Sequence, residues 1–302
     1  MRFKDSLLGL VIIVVWGVNF VVIAWGLEGM PPILMGALRF LCVALLGCWF
    51  IGRPQMPWQW VVTYALTIGF AQFAFLFTAM AVGMPAGLAS LVLQSQALLT
   101  IIFSVFLLSE TVRGHQLVAM VVAGAGLVVI GSSGSVESMT VLGFALTLVA
   151  AASWALGNVV TRKIAQRGYR ADVRLVIHSS WISAAAFLMC SLLFEGPELV
   201  WHTLQNLNLT SAGSLLYLAL IATILGYSLW SYLLSHYPAG QVAPLTLGVP
   251  VVGIASAAWL LDEQVSDTQL IGISLVMLGL MINMRLDKLI LKLRRKGYAV
   301  EK

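Results

Sequence analysis

The sequence predicts an all-α integral membrane protein in which ten transmembrane helices form two inverted five-helix repeats. Three observations lead to this prediction: an apolar composition, ten apolar runs of membrane-spanning length, and an internal duplication. Of the 302 residues, 60% are hydrophobic and only 10% are charged, and the mean hydropathy is +0.97. Because soluble domains carry about 25% charged residues, this composition excludes an ordinary soluble fold.

The apolar runs define ten predicted spans. A helix needs roughly 20 predominantly apolar residues to cross a bilayer, and the segments between the runs are short and either polar or rich in Gly and Pro. In chain order, the predicted spans are about 7–26, 32–51, 58–82, 86–108, 115–132, 140–161, 173–194, 212–234, 240–261 and 267–284. Pro244 and Pro250 lie in span 9, where neighbouring helices can cover the backbone groups that proline leaves unpaired.

The duplication joins residues 84–130 to residues 237–283, which align without a gap. The identical positions include Pro-Ala-Gly at 85–87 and 238–240, Leu-Leu-x-Glu at 107–110 and 260–263, and Gln-Leu at 116–117 and 269–270. The same register extends back to Tyr64 and Tyr217. Repeats inside a hydrophobic chain are typical of secondary transporters, which bind substrate between their halves. The sequence therefore predicts a transporter.

The basic residues predict how the spans are oriented. With the N-terminus inside, every one of the 17 Lys and Arg lies in a predicted cytoplasmic segment except Arg39, which lies within span 2. The charged residues of the predicted outer loops are all acids, as the positive-inside rule requires. Both termini are then cytoplasmic, and the net charge of +5 reports orientation rather than nucleic-acid binding. Five spans per half is an odd number, so the second half is expected to be inverted.

Three units follow from this topology. A first repeat covers residues 1–134, a second, inverted repeat covers 135–284, and a basic cytoplasmic tail covers 285–302. Residues 287–296 of the tail place leucine and isoleucine at helical spacing between basic residues. That pattern favours either a helix along the anionic inner leaflet or a solvated cluster of charges.

Arg39 is the most informative polar residue inside a predicted span. A central Arg costs about 2.5–3.5 kcal/mol on the insertion scale, so another group must compensate it. One hypothesis is a clamp for a substrate carboxylate, whose shape fits the guanidinium fork. The alternative is a structural Arg bonded to carbonyls of a broken or Gly-containing helix nearby.

His178 in span 7 is a candidate proton acceptor, because histidine titrates near neutral pH; the alternative is a histidine that is simply hydrogen-bonded to a neighbour. The interiors of the predicted spans contain no Asp or Glu, and Glu110 and Glu263 lie at equivalent span ends. A relay of buried carboxylates is therefore not expected. Export would run down the substrate's own gradient or couple to protons through another group.

Amides and aromatic residues at similar depths predict a polar central cavity suited to a small zwitterion. For each residue the alternative is hydrogen bonding between helices, worth about 0.6 kcal/mol on average. Together with Arg39 and His178, the candidate substrate-binding residues are Trp16, Asn19, Gln72, Gln94, Gln96, Trp154, Asn158, Tyr227 and Trp230. Small residues on spans 5 and 10 predict a tight helix seam away from the substrate path.

The chain resembles the EamA family of the drug/metabolite transporter superfamily along nearly its whole length. The segments that carry the resemblance are 14–23, Arg39 after Met-Pro-Pro, FAQFAFLF at 70–77, GMPAGLASLVLQ at 83–94, and 250–263. The likeness is strongest to family members that export O-acetylserine and cysteine. It implies a ten-helix, inverted-repeat exporter in the bacterial inner membrane, with no cofactor.

The expected partners are an amino-acid-like small molecule and the lipid bilayer, without nucleic acid, and the chain is expected to be a monomer or a homodimer. The alternative substrate is another amino acid, a nucleobase or a drug-like metabolite. A membrane enzyme is disfavoured because HExxH, GxSxG and paired intramembrane Asp are absent from the sequence. No catalytic or metal-binding residue is predicted.

Overall fold

The structure is a computed structural model that describes residues 1–133, 139–237 and 239–284, and the described residues are helical with no strand. Eight helices are long and apolar enough to cross a membrane, and two further apolar helices, α2 and α10, are shorter. In chain order the ten helices are α1 Phe3–Leu27, α2 Pro32–Gly47, α3 Trp58–Ala81, α4 Ala86–Leu108, α5 Gly114–Ser132, α6 Val141–Gln166, α7 Val173–Glu195, α8 Leu209–His236, α9 Ala243–Leu260 and α10 Asp267–Asn283. The chain is a multi-pass membrane protein.

Three details differ from the sequence-based expectation. Helix α6 continues to Gln166, past the predicted end near 161. Helix α2 ends at Gly47, a few residues earlier than predicted. The segment predicted as a loop between spans 7 and 8 contains a further short helix, Pro197–Gln205. It begins after Gly196, whose φ of +88° suits glycine, and Pro197 occupies its first turn. Its hydrophobic run is too short to register as a span. The predicted tail helix at 287–296 lies outside the described residues.

The two copies of the duplicated segment share their local irregularities. In α3 the backbone widens to a π-helix over Ala65–Ala71, and in α8 it does so over Tyr217–Leu225, which covers the matching positions. In α4 a 3₁₀ turn interrupts the α-helix at Leu93–Ser95. Helix α9 begins as a 3₁₀ segment, Ala243–Leu247, that overlaps the equivalent positions.

The helix ends match as well. Ser109, after α4, and Asp262, after α9, are equivalent residues and have left-handed φ angles of 55° and 53°. Such angles are uncommon for residues other than glycine. The side chains of Gln116 and Gln269, also equivalent, accept hydrogen bonds from the backbone N–H at the start of α5 and α10. The duplicated residues therefore form the same local structures in both copies.

Glycines allow helices to approach closely at two places that organise the bundle. A Cβ on Gly17 in α1 would come within 2.5 Å of Val252 in α9. A Cβ on Gly253 in α9 would come within 2.5 Å of the Ser90 hydroxyl in α4. In the seam between α5 and α10, a Cβ on Gly126 would lie 2.7 Å from the carbonyl oxygen of Gly272. The tight seam predicted for spans 5 and 10 is confirmed.

Candidate functional site

A small internal cavity lies around Arg39, where helices of both sequence halves meet. Its walls come from α2, α3, α7 and α8, and its volume is about 10 Å³, close to the space of one water molecule. The lining residues are Arg39, Phe40, Tyr64, Ile68, Gly69, Phe73, Val176, Ser179, Thr223 and Tyr227. The cavity combines one cationic group, several hydroxyl groups and aromatic walls.

Arg39 is 3% exposed, yet only part of its hydrogen-bonding capacity is used. Its Nη2 donates to the hydroxyl of Thr223 at 3.0 Å. Its Nε and Nη1 atoms are buried without a hydrogen-bond partner. An unsatisfied buried donor on a charged group is costly. Among the described residues, Arg39 has no anionic partner that would offset this cost.

Aromatic rings compensate part of that cost. The guanidinium carbon of Arg39 lies 4.1 Å from the ring centroid of Phe73 and 5.5 Å from that of Phe40. The two rings meet edge to face with centroids 5.5 Å apart. A cation over a desolvated ring gains about 2 kcal/mol. The FAQFAFLF segment thus places Phe73 and Phe77 near the buried charge, while Nε and Nη1 of Arg39 have no hydrogen-bond partner.

The partner of Arg39 on α8 lies in the π-helical stretch. Thr223 is 1% exposed, and its hydroxyl donates to the carbonyl of Leu218 at 2.7 Å while it accepts from Arg39. The wider π turn leaves backbone carbonyls open to side chains, and π-bulges are frequent at functional sites. The hypothesis that Arg39 bonds to carbonyls of a broken helix is wrong in its detail, because the bond is to a side-chain hydroxyl.

An aromatic group extends the cavity toward α1. Trp16 packs against Tyr227 and Trp230 with ring centroids 5.4 and 5.5 Å apart. The indole Nε1 of Trp16 donates to the carbonyl of Ala222 at 3.0 Å, within the π segment of α8. Three of the predicted aromatic residues therefore form one group, and Tyr227 links it to the Arg39 cavity.

A second polar group lies between α4 and α6. Asn158 donates through its Nδ2 to the side-chain oxygen of Gln96 at 2.6 Å and to the hydroxyl of Thr100 at 3.1 Å. Gln94 on the same helix as Gln96 faces α9 instead, and its Nε2 donates to the carbonyl of Thr246 at 3.4 Å. These contacts fit the alternative of hydrogen bonds between helices.

The remaining predicted residues are distributed as follows. Asn19 and Gln72 are 8% and 3% exposed, and the side-chain oxygen of each has no hydrogen-bond partner. Trp154 packs against two hydrophobic clusters. His178 does not line the Arg39 cavity; its Nδ1 lies 3.0 Å from the carbonyl of Arg174, one turn back on α7. That contact is the hydrogen-bonded alternative for His178.

Sequence reasoning missed Tyr64, Ser179, Thr223 and Phe73 as lining residues. Tyr64 is a duplicated position, and Phe73 belongs to the motif that carries the family resemblance, so both had a usable signal. Ser179 and Thr223 had none, since single hydroxyl residues are common in membrane helices. Among the described residues no group of three or more His, Cys, Asp or Glu is placed to hold a metal ion.

The fold and the site together define a polytopic helical membrane protein with a buried cationic pocket between its two halves. Comparison with known proteins identifies the family: the model of the EamA-like transporter family matches residues 4–132 and again 141–285. The chain belongs to this family. The two matched stretches correspond to the two halves of the chain.

Individual relatives agree with this assignment. The chain is 48% identical to the "Probable amino-acid metabolite efflux pump" of Escherichia coli (strain K12), over 93% of this chain and 94% of that protein. It is 49% identical, with the same coverage, to the protein of the same name from Salmonella typhimurium. One solved crystal structure aligns with this chain with a TM-score of 0.65 and 21% sequence identity, and the alignment covers 96% of this chain and 99% of the other. This similarity supports the fold alone.

Proposed function

We propose that the protein exports small amino-acid metabolites, O-acetylserine and cysteine foremost, across the bacterial inner membrane. In this proposal its ten helices form two inverted five-helix repeats, both termini are cytoplasmic, and the chain is not an enzyme. The two bacterial relatives that are named probable amino-acid metabolite efflux pumps support the substrate class. The matching π segments, 3₁₀ turns and helix ends of the two copies support the duplicated architecture, and the distribution of basic residues supports the orientation.

The observation that carries the proposal is the incomplete coordination of Arg39. A buried guanidinium with unpartnered Nε and Nη1 atoms has donors left for an incoming carboxylate, which Nε or Nη1 can bind together with the second hydrogen of Nη2. The aromatic walls of the same cavity, including Tyr64 and Tyr227, suit the ammonium group of an amino acid through cation–π contact. A zwitterion therefore supplies both the charge that Arg39 lacks and one that the rings attract.

This chemistry also ranks the alternatives. Nucleobases can accept hydrogen bonds from Arg39 but carry no negative charge to pair with it. Cationic drug-like compounds without an acceptor would leave the Arg39 donors unpaired, which costs about 1–3 kcal/mol or more for a charged group. Other small amino acids satisfy the same donors and remain the alternative substrates. We expect the carboxylate to be required and the side chain to set the preference.

The small size of the cavity supports transport by alternating access. A volume of about 10 Å³ holds about one water molecule and not an amino acid, so substrate binding requires α2, α3, α7 and α8 to separate. A site between two repeats is opened to each side in turn by movement of one repeat against the other. Arg39 then stays near the pivot while access to it changes.

The test is transport into proteoliposomes that contain the purified protein, with a panel of labelled compounds, each measured with and without a proton gradient. We expect O-acetylserine and cysteine to be transported, and carboxylate-free analogues of matched size to be excluded. Protein-free liposomes serve as the control. Failure of every amino acid, with correctly inserted protein, would refute the proposed substrate class.

A further inference from the structure

The starting observation is a carboxylate that joins the end of α9 to the beginning of α4. Glu263 follows α9 and accepts hydrogen bonds from the backbone N–H groups of Ala86 at 2.6 Å and Gly87 at 2.9 Å. These are the first residues of α4, whose N-terminal N–H groups have no partner within the helix. Pro85 at the cap position provides no side-chain oxygen. Glu263 supplies the missing acceptors from another helix, and its charge complements the helix dipole.

The contact is closely packed as well as hydrogen-bonded. A Cβ on Gly87 would lie 3.1 Å from Oε2 of Glu263, 3.2 Å from the Cα of Ile254 and 3.3 Å from the Cβ of Ala257. A larger residue at position 87 would require Glu263 or the neighbouring atoms of α9 to shift by a few tenths of an ångström. The segment Ala86–Val92 packs along Gly248–Leu260. The Ala86 end of α4 is therefore closed against α9.

Every residue of this contact has a counterpart in the other copy of the duplication. Glu110 after α4 corresponds to Glu263, and the Ala-Gly pair at 239–240 corresponds to Ala86 and Gly87. The backbone at the two acids is also alike: the N–H of Glu110 bonds the carbonyl of Ser104 at 3.3 Å, and the N–H of Glu263 bonds that of Ala257 at 3.3 Å. The chain thus carries a second acid in the same conformation, at the opposite end of α4.

The second acid is engaged elsewhere in this structure. Oε2 of Glu110 lies 2.9 Å from Nη1 of Arg162 on α6, and the two side chains are 32% and 53% exposed. The C-terminal part of α4, Gln96–Leu108, packs against α6. Exposed ion pairs are worth about 0–1 kcal/mol, so little holds Glu110 to Arg162.

We propose that Glu263 and Glu110 are reciprocal gate residues, each of which closes one end of the α4–α9 pair by binding backbone amides: Glu263 binds those at the start of α4, and Glu110 binds those of the short helix Ala239–Val242 that precedes α9. In the described state Glu263 holds the Ala86 end closed. In the alternate state Glu110 leaves Arg162 and accepts from the amides of Ala239 and Gly240, while Glu263 releases α4. The inference rests on the proposed alternating access, and it assigns the residues that bias the exchange between states.

Reciprocity is what the geometry adds to a simple helix cap. Helix α4 has 23 residues from Ala86 to Leu108, and at about 1.5 Å per residue its two ends lie far apart. One carboxylate cannot serve both ends. Helices α4 and α9 meet between the ends, where Gln94 bonds to Thr246, close to the 3₁₀ segments of both helices. A rocking motion about that crossing would open one end as it closes the other.

The test measures both closures by disulfide trapping, in a background where Cys42, Cys48 and Cys190, all free thiols, are replaced by alanine. The pair Gly87→Cys with Ala257→Cys reports closure at the Ala86 end, since the two Cβ positions lie 3.3 Å apart, near the distance a disulfide needs. The pair Ser104→Cys with Gly240→Cys occupies the matching positions and reports closure of the other end. Trapping is read in native membranes without substrate.

Three variants give distinct expected results. Glu263→Gln should lower the ratio of 87–257 to 104–240 trapping by about tenfold, the effect of losing one charge-assisted hydrogen bond. Glu110→Gln should raise that ratio. Arg162→Gln should lower it, because Glu110 is then free to bind the amides. Glu198→Gln, on an exposed residue, is the matched control and should leave the ratio unchanged.

The decisive comparison is between Glu110→Gln and Arg162→Gln. If their ion pair only stabilises the fold, both variants shift the ratio in the same direction or leave it unchanged, and the proposal is overturned. Opposite shifts support it. The assay uses no substrate, so the two proposals can fail separately. Opposite shifts in a protein that transports no amino acid would refute the proposed function and support the gate. Amino-acid transport without opposite shifts would support the proposed function and refute the gate.

Discussion

Arg39 gives the sharpest prediction, because its assigned partner is a single chemical group of the substrate. If the free donors of Arg39 bind the carboxylate, the protein should discriminate cysteine from cysteamine, which has the same thiol and amine but no carboxylate. Two atoms of Arg39 are buried and unpartnered, and each hydrogen bond to a charged group contributes about 1.5–3 kcal/mol. Even the lower end of that range, about 3 kcal/mol for two bonds, corresponds to more than 100-fold in kcat/KM.

The perturbation is Arg39→Gln, which keeps a hydrogen-bonding side chain and removes the charge and the fork. We expect wild-type protein to prefer cysteine over cysteamine by about 100-fold or more, and the variant to lose most of that preference by losing cysteine transport. The assay is initial-rate uptake into proteoliposomes with each compound. Comparing two substrates in one variant cancels any general loss of active protein.

The refuting result is also specific. If Arg39→Gln lowers transport of both compounds by the same factor, Arg39 is a structural residue, and its unpartnered donors are compensated by Phe73 and the neighbouring rings. The preference for cysteine over cysteamine is also measured on the wild-type protein, so the test does not depend on insertion of the variant. Equal transport of cysteine and cysteamine by the wild type would by itself contradict a carboxylate clamp.

Two further predictions concern the packing around this site. Gly126→Ala should lower the midpoint of thermal unfolding in detergent, since its Cβ would lie 2.7 Å from the Gly272 carbonyl oxygen; Gly124→Ala, where the same atom meets nothing within 4 Å, is the control and should be neutral or stabilising. A loss as large in the control would contradict the seam. Thr223→Val keeps the shape of the side chain and removes the acceptor for Arg39 Nη2, so we expect it to destabilise the protein by about 1–3 kcal/mol, while Thr223→Ser should retain most of the stability. Identical unfolding midpoints for both Thr223 variants would show that the bond is unimportant.

The features that sequence reasoning predicted well are those governed by local pattern. Apolar runs gave the helices within a few residues, and the duplicated Leu-Leu-x-Glu and Gln-Leu positions became matching helix ends at Ser109 and Asp262. The small residues of spans 5 and 10 became the seam at Gly126 and Gly272. In a bilayer each segment must satisfy its own backbone, so hydrophobicity and small-residue spacing are enough to define such features.

The candidate site was predicted only in part, because its members come from four helices that are distant in sequence. Arg39 and Tyr227 line the cavity, and Trp16 and Trp230 adjoin it, but His178 bonds to its own helix at Arg174. The short helix Pro197–Gln205 was also missed, since a two-turn amphipathic segment has no hydropathy signal of its own. Which faces of two helices meet depends on how they pack, and the sequence of one helix alone does not determine that packing.

The sequence by itself determined that this chain is a duplicated bundle of apolar helices with one buried cation, because burial of charge and helix length are set by the bilayer. Only the tertiary structure decided what that cation meets and how the two copies differ. Glu263 and Glu110 are the same residue in the duplication, yet one binds the amides of Ala86 and Gly87 and the other binds Arg162. Equivalent sequence positions take different partners because their neighbours differ: the C-terminal part of α4 packs against α6, whereas the end of α9 meets the start of α4.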